Sequence, residues 1–154
     1  MGNFDSDAAF EKASNLAGDE MLYFCHEAAS SWLPSRRIVA EAFASRTHPE
    51  IVVLKQFCPW GDHLFKLDTK EEVKYVIFGD ADSYRVRAVA ISPGSFESRL
   101  GLPEKWRGLR DASLDDHLTV KGGVFVHATG FIGGHKTLEG AIQMAKDSIA
   151  LQKN

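Results

Sequence analysis

The hydrophobic period of the chain changes at Thr47-His48-Pro49. Before this point, apolar residues recur at three- and four-residue steps over 7–31 and again over 35–45, which predicts two amphipathic helices. The residue before a proline is disfavoured in the α region, so the second helix should end there. After it, apolar runs of strand length begin. We therefore predict one domain over 1–154, with a helical segment over 7–47 and a β-rich segment over 51–152.

The β-rich segment contains four runs that predict strands, at 51–54, 75–78, 85–91 and 124–128. A short Gly/Asp loop separates the second run from the third, which indicates a β-hairpin. Thr137 is placed to cap a final helix that reaches about Leu151. The order predicts an α+β, or mixed α/β, fold: a central mixed β-sheet flanked by two N-terminal helices and one C-terminal helix.

The composition is typical of a soluble globular protein. The 154 residues are 44% apolar and 25% charged, enough for one packed core, and a net charge of −3 gives no global attraction to polyanions. Cys25 and Cys58 are too few for a disulfide framework or a structural zinc site, so we expect reduced thiols. The first ten residues are polar and acidic, and no run approaches the ~20 apolar residues of a membrane span. We expect an intracellular soluble protein with no membrane partner.

A glycine-rich string follows the last predicted strand. Gly133 and Gly134 would lie in a loop between this strand and the final helix, where glycine lets the backbone approach a ligand and a helix N-terminus favours anions. His135 and Lys136 add side-chain donors. The string predicts a phosphate or carboxylate site, although it matches neither a Walker A loop nor a G-x-G-x-x-G motif. A purely structural turn is the alternative.

Basic residues are concentrated between Arg85 and Arg110, where six of them face two glutamates. The planar guanidinium group binds phosphate through paired hydrogen bonds, so five arginines here suggest an anion-binding surface. Two alternatives stay open: Arg85 and Arg87 would merely face solvent on a strand, and Arg99, Arg107 and Arg110 would pin the long loop 92–110 through backbone carbonyls.

No catalytic residue and no metal ligand is predicted in this chain. The histidines have no partner at metal-ligand spacing, and Asp115-Asp116-His117 is typical of a solvated turn. No G-x-S-x-G string is present. The aromatic residues Phe57, Trp60, Phe65 and Phe78 are interpreted as core rather than as platforms for stacked bases.

Several strings together resemble one family. They are SWLPSRRIVAEAFASR, CPWGDHLFKL, YVIF, YRVRAVAISPGSFESRLGLPEKWRGLRD and GGVFVHATGFIGGHKTLEGAIQMAK. They look like the C-terminal half of the melanocyte-proliferating-gene family, a branch of the DHH phosphoesterases. The resemblance covers nearly the whole chain from about Phe10. It implies a metal-dependent hydrolase that acts as a 3′–5′ RNA exonuclease in the nucleus, mitochondrion or cytoplasm.

In that family an N-terminal domain supplies His-x-Asp and Asp-His-His motifs that hold two metal ions, typically manganese. Neither motif occurs here, so the resemblance implies only the substrate-binding lobe, inactive alone, from a fragment or a split gene. It also implies RNA or nucleotide phosphate as ligand and the N-terminal catalytic domain of the same protein as partner. A structural or oligomerisation module without its own ligand site, for example in a homodimer, is the alternative.

The C-terminal lobe of DHH enzymes carries a Gly-Gly-Gly-His-type loop that holds substrate phosphate. The string Gly133-Gly134-His135 matches this loop in part, since Ile132 stands at the first glycine. With neighbouring donors added, the expected substrate-binding set is Arg99, Arg107, Arg110, His127, Gly133, Gly134, His135 and Lys136.

Overall fold

A computed structural model describes residues 6–153. The helices are α1 (Ser6–Glu27), α2 (Leu33–Ala44), α3 (Gly61–Leu67), α4 (Asp111–Asp115) and α5 (Leu138–Gln152). A π-helical segment, Ala28–Trp32, joins α1 to α2, and a 3-10 turn spans Glu104–Trp106. The strands are β1 (Ile51–Val53), β2 (Tyr75–Asp80), β3 (Ser83–Ala88), β4 (Gly123–Val126) and β5 (Ile132–His135).

The five strands form one mixed sheet in the order β1-β2-β3-β5-β4. β1 runs parallel to β2, whereas the other neighbours are antiparallel. The hairpin β2–β3 is confirmed, with Asp80 opposite Ser83 at its turn. The described residues therefore form a single small domain with the predicted mixed α/β architecture. Residues 1–5 and 154 of the predicted domain lie outside the described residues.

The glycine-rich loop predicted between the last strand and the final helix is wrong. Residues 132–135 form β5, which pairs with β3 on one side and β4 on the other. A tight turn joins β4 to β5, with Gly130 at φ +76° and its N–H donating to the His127 carbonyl. Glycine lacks a side chain to stabilise a strand, so the sequence favoured a loop. The central place of β5 provides two ladders of hydrogen bonds instead.

Two cores cover opposite faces of the sheet, because side chains alternate along each strand. On the first face, Tyr75, Ile77 and Val86 pack with α5 and with Leu102 and Trp106 from the long loop. On the second face, side chains of β1 and β2 pack with α2 and α3; they are Val52, Val76 and Phe78. The Thr137 side chain accepts a hydrogen bond from the Gly140 N–H and caps α5, as predicted.

Helix α1 is present as predicted, but its apolar side chains are not packed. Phe10 is 76% exposed and Phe24 is 68% exposed. The prediction that Phe57 belongs to the core is also wrong, since it is 62% exposed. In the described part of the chain, no helix is both long and apolar enough to cross a membrane.

Candidate arginine–aromatic site

One half of the second sheet face is open. Within residues 6–153, α2 and α3 pack over β1 and β2, whereas β3, β5 and β4 carry the two arginines of β3, Ile132 and Phe125 on this side. The register aligns Phe78, Arg85, Gly134 and Phe125 in one row across four strands. We call the surface formed by Arg85, Arg87, Arg110, Phe125 and Phe131 the arginine–aromatic face.

Each arginine of this face lies near an aromatic ring. The guanidinium carbons of Arg85 and Arg110 lie 5.2 and 5.9 Å from the Phe125 ring centroid. That of Arg87 lies 5.2 Å from the Phe131 centroid. Guanidinium groups at such distances are attracted to the ring face and held in orientation. The face thus combines positive charge with flat apolar surfaces.

The charge of this face is only partly neutralised. Arg85 pairs with Asp80 at 3.1 Å and donates to the Ser83 hydroxyl, and its side chain is 20% exposed. Among the described residues, Arg87 and Arg110 pair with no carboxylate. Both are exposed. Two guanidinium groups are therefore available for an anion.

Gly134 forms the floor between Arg85 and Phe125. A Cβ at this position would lie 2.8 Å from an Arg85 nitrogen and 3.1 Å from a Phe125 ring carbon. The glycine therefore lets the two side chains lie flat on the sheet. Its contribution comes from the missing side chain, whereas its backbone is engaged in β5.

Arg99 lies apart from this face and holds the chain together. Its side chain is 5% exposed; it pairs with the Asp68 carboxylate and donates to the Val73 carbonyl at 3.0 Å. Burial would raise the pKa of Asp68, but hydrogen bonds from the Val73 N–H and from Arg99 outweigh it and hold this pKa below its usual value. These contacts fix the long loop in place, which is the alternative to anion binding that the sequence left open for Arg99.

Arg107 and His135 are also held by internal partners. Arg107 Nε donates to the Leu102 carbonyl at 2.9 Å, beside Gly130. His135 is fully buried, with Nε2 at 3.1 Å from the Val120 carbonyl and Nδ1 accepting from the Thr137 N–H. This pattern assigns the ring proton to Nε2.

Of the remaining predicted residues, Arg110, His127 and Lys136 are exposed, whereas Gly133 is buried within β5. Arg110 belongs to the arginine–aromatic face, and His127 lies at its edge, with its ring centroid 4.8 Å from that of Phe131. Lys136 follows β5 with its side chain exposed and its N–H bonded to the Gly122 carbonyl. The predicted residues are therefore divided among separate environments, and only Arg110, His127 and Gly134 meet at this face.

Asp115, the first residue of the string 115–117, has a structural role. The Asp115 carboxylate accepts hydrogen bonds from the Gly122 and Gly123 N–H groups at 3.0 and 2.8 Å. Burial would raise its pKa, but these bonds outweigh that effect and hold it low. In the part of the chain that the structure describes, no three His, Cys, Asp or Glu side chains are grouped as metal ligands.

Sequence reasoning missed Phe125 and Phe131 and preferred a plain solvated face for Arg85 and Arg87. The signal was present in part. Phe125 alternates with the buried Val126 along β4, which places its ring on the opposite face. The prediction lacked β5, which lies between β3 and β4 in the sheet and aligns Phe125 of β4 with Arg85 of β3.

The chain matches a family model over residues 2–149. The model is described as MYG1_exonuc, Uncharacterised protein family (UPF0160). A MYG1 exonuclease of Mus musculus is 46% identical over 158 residues, covering 96% of this chain and 42% of the mouse protein. A MYG1 protein of Dictyostelium discoideum is 49% identical over 145 residues, covering 88% of this chain and 44% of that protein.

A MYG1 protein of Schizosaccharomyces pombe is 42% identical over 149 residues, covering 94% of this chain and 46% of that protein. This chain thus spans less than half the length of the curated relatives it matches. No solved structure matches it. The match confirms the family that the sequence strings resemble: the chain belongs to the MYG1 family (UPF0160).

Proposed function

We propose that this chain is the substrate-binding, C-terminal lobe of a DHH-type metal-dependent phosphoesterase that acts as a 3′–5′ RNA exonuclease. Mammalian relatives named MYG1 exonuclease support a nuclease role, and the chain's share of their length supports a lobe. Manganese or another divalent metal would be held in an N-terminal lobe, outside this chain. The observation that carries the proposal is the arginine–aromatic face.

This face suits single-stranded RNA for two physical reasons. The exposed Arg87 and Arg110 guanidinium groups can each donate paired hydrogen bonds to a phosphate. The rings of Phe125 and Phe131 offer flat surfaces beside them, and aromatic rings combined with positive charge are typical of surfaces that bind single strands. His127 would extend the binding surface at its edge, and the exposed Lys136 would add positive charge just after β5.

The other predicted residues would act indirectly in this proposal. Gly134 provides the floor under Arg85 and Phe125. Gly133 and His135 fix β5, while Arg99 and Arg107 fix the loop that leads to Arg110. We expect the isolated chain to bind RNA weakly and to hydrolyse nothing, because the proposed metal site is elsewhere.

The test compares two double variants that remove the same charge. We expect Arg87→Ala with Arg110→Ala to weaken binding of a short single-stranded RNA, and to lower the slope of log affinity against log salt by about 0.7 for each phosphate that the protein no longer neutralises. Fluorescence anisotropy at several salt concentrations measures both. The control is Arg36→Ala with Arg37→Ala on α2, where both side chains are exposed.

The control shows whether a loss of affinity comes from removing a local site or only from lowering the net positive charge. It should leave affinity nearly unchanged. Equal losses of affinity in the two double variants would contradict a defined site, and unchanged binding in the first would refute the role of this face.

A second candidate function is an assembly module, which one observation favours. The exposed side chains Phe10, Met21 and Phe24 recur on one side of α1 and form an apolar stripe. Contiguous exposed apolar surface usually marks an interface. We propose that this stripe packs against the N-terminal catalytic domain in the whole protein, and against a second copy when the chain is alone.

A further inference from the structure

A second concave surface borders the arginine–aromatic face. It is an open cleft of about 470 Å³ between the segment before α3, the β2–β3 strands and the loop 92–97. Its larger lining side chains are Phe57, Trp60, Phe65, Phe78, Arg87 and Phe96. We call it the Phe96 cleft. Arg87 belongs to both surfaces, so the two are continuous.

Two aromatic rings of the cleft are left open to solvent. Phe96 is fully exposed, and Phe57 is 62% exposed although its ring centroid lies 5.1 Å from that of Phe78. Large aromatic side chains are usually buried, so two exposed rings in one cleft indicate a binding surface. Both rings are therefore accessible to a ligand.

The loop that carries Phe96 is held at its base. The Ile91 N–H donates to the Glu97 carbonyl at 2.9 Å, and the Arg99 N–H donates to the Val89 carbonyl at 2.8 Å. Arg99 is in turn bound to Asp68 and Val73. The backbone at both ends of the loop that carries Phe96 is therefore anchored.

The chemistry of the lining defines the ligand. Its aromatic walls suit a flat, polarisable group, and none of the described lining residues is acidic. Burial raises the pKa of the Cys58 thiol, which favours its uncharged form. Arg87 at the rim suits an anion attached to the flat group. A nucleobase linked to a phosphate has both properties.

We propose that the Phe96 cleft is a nucleobase subsite, which takes one unstacked base of single-stranded RNA while Arg87 pairs with the adjoining phosphate. The inference rests on the proposed function and deepens it by adding recognition of a base to recognition of phosphates. Since the lining has few polar side chains, the subsite should accept any base and favour purines, which offer the larger stacking area.

The experiment removes bases while keeping phosphates. A five-nucleotide RNA is compared with versions that carry one abasic site at each position in turn. We expect wild-type protein to bind the intact RNA about fivefold to tenfold more tightly than the version abasic at the bound position. Phe96→Leu, which keeps an apolar side chain without a ring, should abolish this difference. It should leave the affinity for that abasic RNA unchanged.

A matched variant and a spectroscopic signal complete the design. Tyr23→Leu replaces a 62% exposed ring on α1 that lies off the apolar stripe, and it should behave as wild type. A 2-aminopurine base at the bound position should lose fluorescence on binding to wild type and keep it with Phe96→Leu, because stacking quenches this base. Circular dichroism confirms that each variant is folded.

The outcomes separate this inference from the proposed function. If every abasic RNA binds as tightly as the intact one, or if Phe96→Leu retains the difference, the subsite is refuted. Loss of binding in the Arg87→Ala, Arg110→Ala variant would then still support the phosphate-binding face. If no RNA binds to wild type at all, both proposals fail.

Discussion

Arg99 illustrates how the tertiary environment changes the meaning of a single residue. The sequence suggested a ligand for phosphate, but its guanidinium group meets Asp68, whose side chain is 1% exposed. Asp68 also accepts hydrogen bonds from the Glu72 and Val73 N–H groups at 3.0 and 2.9 Å. The buried pair therefore ties the arginine-rich loop to the segment that precedes β2.

Removing Arg99 should destabilise the fold. We expect Arg99→Ala to lower the free energy of unfolding by about 3 kcal/mol, because it leaves the Asp68 carboxylate buried without its charged partner. Denaturant titration at pH 7 measures the change. Arg37→Ala is the matched control, since Arg37 is 85% exposed in its pair with Glu41. The control should lower the free energy of unfolding by at most about 0.5 kcal/mol.

Arg99→Ala should also change the acid limb of the stability profile, which is the fall in the free energy of unfolding as pH decreases. The pKa of folded Asp68 is held low, so its stabilising contribution is present above the unfolded pKa, about 4, and is lost as pH falls through the folded value. Without Arg99 this folded pKa rises, and part of that pH dependence disappears. Equal destabilisation by Arg99→Ala and Arg37→Ala, or an unchanged acid limb, would show that the pair is not a structural clasp.

At the scale of the elements, glycines in β5 and α5 leave space for neighbouring side chains and let the two elements pack closely. Gly133 leaves room for Leu102 and Met144 on the first face, and Gly134 leaves room for Arg85 on the second. Helix α5 lies against β5 at Gly140, where a Cβ would be only 1.9 Å from His135 Cε1. The buried His135 ring thus occupies the space that a side chain at position 140 of α5 would need.

The contact between Gly140 and His135 makes a sharp prediction. Alanine is a better helix former than glycine by about 1 kcal/mol, yet we expect Gly140→Ala to destabilise the protein by about 1–3 kcal/mol through overpacking. Gly18→Ala on α1 is the control, because nothing lies within 4 Å of its added Cβ. It should leave thermal unfolding unchanged or slightly raise helicity. If Gly140→Ala were as stable as wild type, the packing of α5 on His135 would be wrong.

At the scale of the whole molecule, the domain is asymmetric. The first sheet face is covered by α5 and the long loop, while the second face is covered only in part. The open half carries the arginine–aromatic face, and α1 carries an apolar stripe outside both cores. Both surfaces therefore face outward on a domain whose cores are already filled.

The stripe on α1 should affect assembly and leave folding unchanged. We expect Met21→Gln with Phe24→Gln to reduce concentration-dependent self-association in sedimentation velocity. Stability should change by less than about 0.5 kcal/mol, because these side chains are already exposed. Leu22→Gln with Tyr23→Gln is the control: these residues are 69% and 62% exposed but lie off the stripe. Equal association of all three proteins would exclude the stripe as an interface.

The sequence by itself determined the elements that local signals specify. The hydrophobic runs at β1, β2, β3 and β4 and the cap at Thr137 were readable because burial and capping act over a few residues. The family was likewise readable from its strings. These features depend little on what lies far away in the chain.

Only the tertiary structure decided the rest. β5 contains two glycines, so its local signal is weak, and it is a strand because β3 and β4 satisfy its backbone on both sides. That pairing brings Phe125 of β4 to Arg85 of β3. Arg99 does not belong to the site, because its guanidinium group pairs with the carboxylate of Asp68, 31 residues earlier in the chain. Contacts between distant residues depend on register and packing, which no local pattern encodes.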